Sequence, residues 1–129
     1  MKHFIRSLSL MTLLLILSAG CQEGNFKSIP VKEFEKVLQQ DNVQLVDVRT
    51  PVEFSEAHIP GAININVMDI SFQNLADSIL RKNRPVALYC RSGKRSKKAA
   101  EILSKEGYIV YELADGFNSW QEEGKITEN

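Results

Sequence analysis

The sequence predicts a three-layer α/β fold, in which helices cover both faces of a central, mostly parallel sheet of about five strands. Short apolar runs typical of buried strands alternate along the chain with segments of helical periodicity, and this order is typical of parallel sheets with crossover helices. The composition, with 43% hydrophobic and 25% charged residues, is that of a globular protein. The length of 129 residues allows one domain of ordinary size.

The first half of the domain is predicted to contain two helical segments and two strands. A helix opens at Pro30, because the apolar residues from Val31 to Leu38 fall on one helical face. The apolar run at 43–48 has the character of a buried strand. A short helical turn follows at 51–57, and apolar residues alternate with Asn over 62–67, which predicts a strand of period two.

The second half is predicted to contain three helices and two strands. Phe72, Leu75, Ala76, Ile79 and Leu80 form the apolar stripe of an amphipathic helix that packs on the sheet. The remaining elements are a buried strand at 86–89, a helix at 94–106 closed by Gly107, a strand at 108–113 and a helix at 117–122.

The N-terminal segment has the pattern of a targeting signal. Lys2 and Arg6 precede an apolar run at 8–17, which is too short to span a bilayer and has the length of a signal-peptide core. The small residues 18–20 and then Cys21 resemble the lipobox of bacterial lipoproteins, although the usual Leu three positions before the Cys is a Ser here. The resemblance implies cleavage before Cys21 and lipidation of that residue, with an ordinary secretory signal as the alternative.

These features divide the chain into a lipoprotein signal peptide at 1–20, a lipidated Cys21 with a polar tether through residue 27, and a domain at 28–126. A lipid on Cys21 would anchor the domain to a membrane of the bacterial cell envelope, facing the periplasm or the cell surface. The formal net charge is zero, so no basic excess indicates nucleic-acid binding. We expect a monomer, since nothing in the sequence indicates an obligate partner.

Cys90 stands where a buried apolar strand ends and a helix is about to begin. Parallel sheets place their sites just beyond the carboxyl ends of strands, so this position is expected to present its side chain to a substrate. Gly93 permits the tight loop in which successive backbone N–H groups converge on an anion. Residues 91–98 include five basic residues and no acid. This setting favours thiolate over thiol, and we therefore expect a reactive Cys90.

The stretch 90–96 resembles the active-site loop of rhodanese domains, in which the Cys takes up a sulfane sulfur as a persulfide. Segment 47–62, with its Asp-Val-Arg, Glu-Phe and His-Ile-Pro-Gly-Ala sequences, resembles a family signature ahead of that loop. Residues 116–120 resemble the closing Gly-Gly-x-x-x-Trp motif, except that Asp115 replaces the first Gly. The resemblance covers about residues 28–123 and implies a rhodanese-like fold.

The resemblance also implies a sulfurtransferase with Cys90 as its nucleophile. The donor would be a small anion such as thiosulfate, the acceptor a thiol or a cyanide-like molecule, and neither a cofactor nor a metal is implied. The residues expected to form the active-site loop and bind substrate are Arg91, Ser92, Gly93, Lys94, Arg95 and Ser96.

Four residues ahead of the loop are expected to support it. By the same resemblance, Asp47 and Arg49 hold neighbouring loops in place, and Arg49 forms an ion pair with Glu53. His58 belongs to a turn in the family, which makes it a weak candidate for a catalytic base. The basic residues later in the helix, Lys97 and Lys98, are expected to form a solvated face.

The spacing in the loop weighs against a related chemistry. Four residues separate Cys90 from Arg95, whereas Cys-dependent phosphatases have five residues between the Cys and an Arg that binds phosphate. The sixth position here is Ser96, which cannot make a bidentate contact with a phosphoryl group. Two alternatives to sulfur transfer stay open. One is a non-catalytic or regulatory binding module, and the other is an extracytoplasmic thiol-exchange protein that uses a partner in place of a C-x-x-C pair.

Overall fold

A computed structural model describes residues 24–129 and confirms a five-stranded parallel sheet flanked by helices. The strand order is β1-β5-β4-β2-β3, and every neighbouring pair is parallel. In chain order the elements are β1 Lys27–Ile29, α1 Val31–Leu38, β2 Gln44–Asp47, α2 Pro51–Glu56, β3 Ile63–Asn64, α3 Phe72–Ile79, β4 Val86–Tyr89, α4 Lys94–Lys105, β5 Val110–Leu113 and α5 Gly116–Glu122.

The sheet separates two apolar clusters, one on each face. Successive side chains of a strand point to opposite faces, so β4 contributes Ala87 and Tyr89 to one cluster and Val86 and Leu88 to the other. Helices α1 and α5 cover the first face, and helices α3 and α4 cover the second. Cys90 belongs to the second cluster. The three predicted layers are therefore present, with the cysteine beneath α4.

The edges of the sheet differ most from the prediction. Strand β1 was not foreseen, because Lys27–Ile29 is too short to show an alternating pattern. It forms through pairing with β5, in which Lys27 lies opposite Tyr111, so residue 27 belongs to the sheet and not to a tether. On the other edge, β3 covers only Ile63–Asn64 of the strand predicted at 62–67. The predicted signal peptide and Cys21 lie outside the described residues.

The apolar stripe of α3 is narrower than predicted. Phe72 and Ala76 are buried against the sheet, but Leu75 and Ile79 are 40% and 45% exposed. Helix α3 therefore packs on the sheet through one side of its apolar stripe, and the other side is partly exposed to solvent. No helix within residues 24–129 is long and apolar enough to cross a membrane.

Candidate active site

Cys90 directly follows β4, at the carboxyl edge of the sheet, and its thiol lies inside the loop that follows. The residue is only 1% exposed, so its side chain lies inside the loop and not at the protein surface. The Gly93 N–H donates a hydrogen bond to Cys90 Sγ over 3.1 Å. The thiol in turn donates to Ser96 Oγ at 3.3 Å, a hydroxyl on the first turn of α4.

Burial and hydrogen bonding act in opposite directions on the Cys90 thiol. Burial raises its pKa, because a charged sulfur loses water. The hydrogen bond with the Ser96 hydroxyl and those from the backbone N–H groups of Ser96, Gly93 and Ser92 lower it. The balance leaves the pKa of Cys90 below its ordinary value. The loop is thus built to receive negative charge on sulfur.

Two glycines make this loop geometry possible. Gly93 has φ +101°, and a Cβ there would collide with the carbonyl oxygen of Ala114. Gly116 has φ +67°, and a Cβ there would lie within 2.7 Å of the Cys90 and Arg91 carbonyl groups. The close approach lets the Phe117 N–H donate to the Cys90 carbonyl over 2.8 Å. The first turn of α5 therefore fixes the position of the cysteine backbone.

The basic side chains of the loop are only partly available to a substrate. Arg95 forms a two-bond ion pair with Glu53 of α2, at 2.7 and 3.0 Å, and Arg91 donates to the same carboxylate over 3.0 Å. These arginines, Arg95 first, hold the pKa of Glu53 well below its usual range. Lys94 is exposed and makes no ion pair within residues 24–129.

The predicted ion pair between Arg49 and Glu53 is wrong. Arg49 instead pairs with Asp47, which is two residues before it, through hydrogen bonds of 2.7 to 3.0 Å. The two side chains are 2% and 0% exposed. Arg49 also donates to the Ala57 carbonyl over 2.6 Å and lies 4.4 Å from the centre of the Phe117 ring. This pair connects β2 with the turn after α2 and with α5.

His58 has no contact with the cysteine loop. Its ring is stacked on Phe54 at 3.7 Å, and its Nδ1 lies 2.7 Å from the Phe54 carbonyl oxygen. Its Nε2 lies 3.3 Å from the carboxylate of Glu128, near the C-terminus. Both ring nitrogens are therefore engaged with groups other than Cys90, and the contacts are those of a turn that holds the C-terminal segment.

One polar residue beside the cysteine was missed by the sequence analysis. Glu112 of β5 is 0% exposed and accepts hydrogen bonds from Ser96 and Ser28. Lys97 is 48% exposed, as expected for a solvated face, but its ammonium also lies 3.3 Å from this carboxylate. A lone acid inside an otherwise apolar strand was the available signal for Glu112.

A small polar cleft of about 170 Å³ borders the loop. Its lining includes Arg91, Glu53, Asn118 and Gln121, which offer both charges and amide groups. Within residues 24–129, no three His, Cys, Asp or Glu side chains are placed to hold a metal ion. The cleft can hold a small polar molecule next to the loop, and the loop stabilises negative charge on the Cys90 sulfur.

The fold and the site together define an α/β domain with a cysteine in an anion-binding loop at the carboxyl edge of a parallel sheet. The chain belongs to the rhodanese-like domain family, whose model matches residues 30–123.

Two curated relatives are named as sulfurtransferases. Thiosulfate sulfurtransferase GlpE of Shewanella oneidensis is 34% identical over 101 residues, which cover 77% of this chain and 96% of that protein. Thiosulfate sulfurtransferase PspE of Escherichia coli is 39% identical over 71 residues, which cover 55% of this chain and 67% of that protein.

A solved structure agrees with the fold. The rhodanese-related protein of Thermoplasma volcanium superposes with a TM-score of 0.70 at 29% identity, covering 80% of this chain and 98% of that one. The sheet and its covering helices therefore have the same architecture as this solved structure.

Proposed function

We propose that this protein is a sulfurtransferase that carries a sulfane sulfur on Cys90. The observation that carries the proposal is the setting of Cys90 Sγ, which faces the Gly93 N–H at 3.1 Å inside a loop that lowers the thiol pKa. A loop of this kind stabilises a thiolate before reaction and a persulfide after it. The names of the two curated relatives support the same chemistry.

The first step transfers sulfur from the donor to the protein. The Cys90 thiolate attacks the outer sulfur of an anionic donor such as thiosulfate. A new S–S bond forms at Cys90, the S–S bond of thiosulfate breaks, and sulfite leaves with the electron pair. Lys94 is exposed on the first turn of α4, where its charge attracts a dianion. Because Cys90 is 1% exposed, the loop has to open slightly for the donor to reach the sulfur.

The second step passes the sulfur to an acceptor. A thiolate or cyanide attacks the outer sulfur of the persulfide, and the S–S bond breaks with its electron pair returning to Cys90. With cyanide the product is thiocyanate, and the thiolate is restored. The N–H of Gly93, which donates to the Cys90 sulfur over 3.1 Å, is placed to stabilise the negative charge in both steps.

Intact mass of the protein tests the cycle. We expect thiosulfate to add one sulfur atom to the full chain and cyanide to remove it. The Cys90→Ala variant should show no gain, whereas Cys21→Ser should behave like the parent chain. A folded protein that gains no sulfur from thiosulfate or a polysulfide would overturn the proposal. A mixed disulfide recovered at Cys90 in its place would indicate thiol exchange.

We also propose that the protein is lipid-anchored in the bacterial cell envelope through Cys21. The basic start, the apolar run at 8–17 and the small residues before Cys21 support this location. Gly24, three residues on, lies against Glu101 and Ser104 near the end of α4, whereas Cys90 lies near the start of that helix. An anchor at Cys21 would therefore leave the active-site loop facing away from the membrane.

Fractionation of the expressed full chain tests the anchor. We expect the parent protein in the membrane fraction, with an acyl-sized mass increase on an N-terminal Cys21. The Cys21→Ser variant should be exported without that mass and recovered in the soluble fraction. Recovery of the parent chain as a soluble protein without lipid, cleaved or uncleaved, would overturn the proposal.

A further inference from the structure

The buried carboxylate of Glu112 lies on the same face of the sheet as Cys90. In the register of β4 and β5, Glu112 lies opposite Leu88, two residues before the cysteine. Both Leu88 and Cys90 belong to the apolar cluster beneath α3 and α4. A fully buried carboxylate is unfavourable in such surroundings unless it is paired and hydrogen-bonded. Its partners should therefore reveal what it does there.

Three groups from two elements satisfy the carboxylate. Ser28 of β1 donates its hydroxyl to Glu112 over 2.6 Å, and Ser96 of α4 donates to the other carboxylate oxygen. Lys97 of α4 supplies the positive charge at 3.3 Å, with a side chain that is 48% exposed. Among these partners, only Ser96 also contacts the reactive sulfur.

The Ser96 hydroxyl has one proton and two possible recipients. In the structure that proton is directed at Glu112, so Ser96 offers a lone pair to the Cys90 thiol, 3.3 Å away. A Cys90 thiolate or persulfide carries negative charge and requires donors. Ser96 can stabilise that charge only by turning its proton away from Glu112. The carboxylate and the sulfur anion therefore compete for the same proton.

We propose that Glu112 is a positioning residue that controls the ionisation of Cys90 through the single proton of Ser96, with Lys97 as its counterion. This role rests on the proposed sulfur transfer through Cys90. By holding the proton, Glu112 favours the neutral thiol at rest and leaves the thiolate less stabilised. A less stabilised thiolate is the stronger nucleophile, since nucleophilicity falls as thiol pKa falls.

Two other charges near the cysteine belong to a separate ion-pair network around Glu53. Arg95 of α4 is close enough to interact electrostatically with Cys90, and its charge is shared with Glu53 of α2. Arg91 in the loop pairs with that same glutamate. These groups do not contact Glu112, so variants of Glu112 and Lys97 change the Ser96 network without touching them.

The thiolate absorbance of the full chain, followed against pH, tests the role. Subtraction of the Cys90→Ser trace isolates the titration of Cys90 from that of Cys21 and the tyrosines. We expect Glu112→Gln to lower the Cys90 pKa by about half a unit, which raises the thiolate fraction below the pKa about threefold. Lys97→Met should shift it in the opposite direction, because Glu112 loses its counterion. Glu101→Gln, on the outer face of α4, is the matched control and should shift nothing.

A double-variant cycle separates the proposed route from a simple charge effect. With Ser96→Ala as background, Glu112→Gln should shift the Cys90 pKa much less than it does in the parent chain. An equal shift in both backgrounds, or no shift in a folded Glu112→Gln protein, would overturn the proposal. If Glu112→Gln does not fold, the Lys97→Met variant provides the test instead. An unchanged Cys90 titration in that variant would overturn the proposal.

The absorbance measurement needs no sulfur donor. Failure of the Glu112 proposal is therefore distinguishable from failure of persulfide formation, which is read separately from the intact mass. The rate of sulfur release to cyanide from a preformed persulfide gives the second readout. We expect Glu112→Gln to speed that release, because Ser96 is then free to donate to the Cys90 sulfur, which is the leaving thiolate of this step.

Discussion

Two carboxylates buried on the strands on either side of β4 differ in how they are paired. Asp47 of β2 and Glu112 of β5 are each 0% exposed, and each has a basic partner. Asp47 is paired with Arg49, which is itself 2% exposed and held by fixed bonds to backbone and carboxylate. Glu112 is paired with the half-exposed Lys97 and with hydroxyls that can rotate.

The difference indicates which site is rigid and which can change with reaction. An arginine whose planar donors bind both Asp47 and the Ala57 carbonyl is held in one geometry, so the Asp47–Arg49 pair stabilises one arrangement of α2 and α5. A hydroxyl can reverse its hydrogen bond by rotating about one bond. The hydrogen bonds of Ser96 and Glu112, next to the reactive sulfur, can therefore change, whereas the Asp47–Arg49 pair on the other face of the sheet is fixed.

The largest loss of stability should come from breaking the Asp47–Arg49 ion pair. Arg49→Met leaves Asp47 as a buried charge without its partner, which costs about 3–5 kcal/mol of unfolding free energy. Denaturant unfolding measures this loss, and the Cys90 pKa should move little in protein that remains folded. A loss below about 1 kcal/mol would show that the interior around Asp47 admits water or relaxes.

Removing the cation that pairs with Glu112 should lower the unfolding free energy by less. Lys97→Met removes a half-exposed cation, while Ser28 and Ser96 still donate to Glu112. We expect a loss of about 1 kcal/mol in the same unfolding experiment, in the range of one ordinary hydrogen bond. A loss as large as that of Arg49→Met would show that the two carboxylates depend equally on their cations, which contradicts the comparison.

The smallest loss of stability should come from changing Glu53, at the rim of the site, and this loss should depend on pH. The arginines, Arg95 first, lower the pKa of Glu53 from 4.5, so the folded state binds a proton less readily than the unfolded state. Its contribution to stability is complete above about pH 4.5 and is lost as the pH falls toward the folded pKa. Glu53→Gln should therefore flatten the decline in stability below that pH. Parallel curves for parent and variant would contradict this assignment.

The chain order of the motifs predicted much of the fold and of the site. Apolar runs such as 86–89 and the stripe over 94–106 are local patterns, and they located β4, α4 and the loop with Cys90 between them. The structure places Gly93 and Ser96, both named from the loop sequence, against the sulfur. The partners of Arg49 and Glu53 were predicted wrongly, because several opposite charges lay within reach and sequence distance could not rank them.

What the sequence determined by itself is the alternation of elements and the identity of the reactive loop, since both depend on neighbours along the chain. Only the tertiary structure decided the surroundings of Glu112. Ser28 is 84 residues from Glu112 and reaches it because β1 pairs with the outer side of β5. Ser96 reaches it because α4 packs over the face that β4 and β5 share. Contacts of this kind follow from strand order and register, which depend on the packing of the whole sheet and not on any short segment.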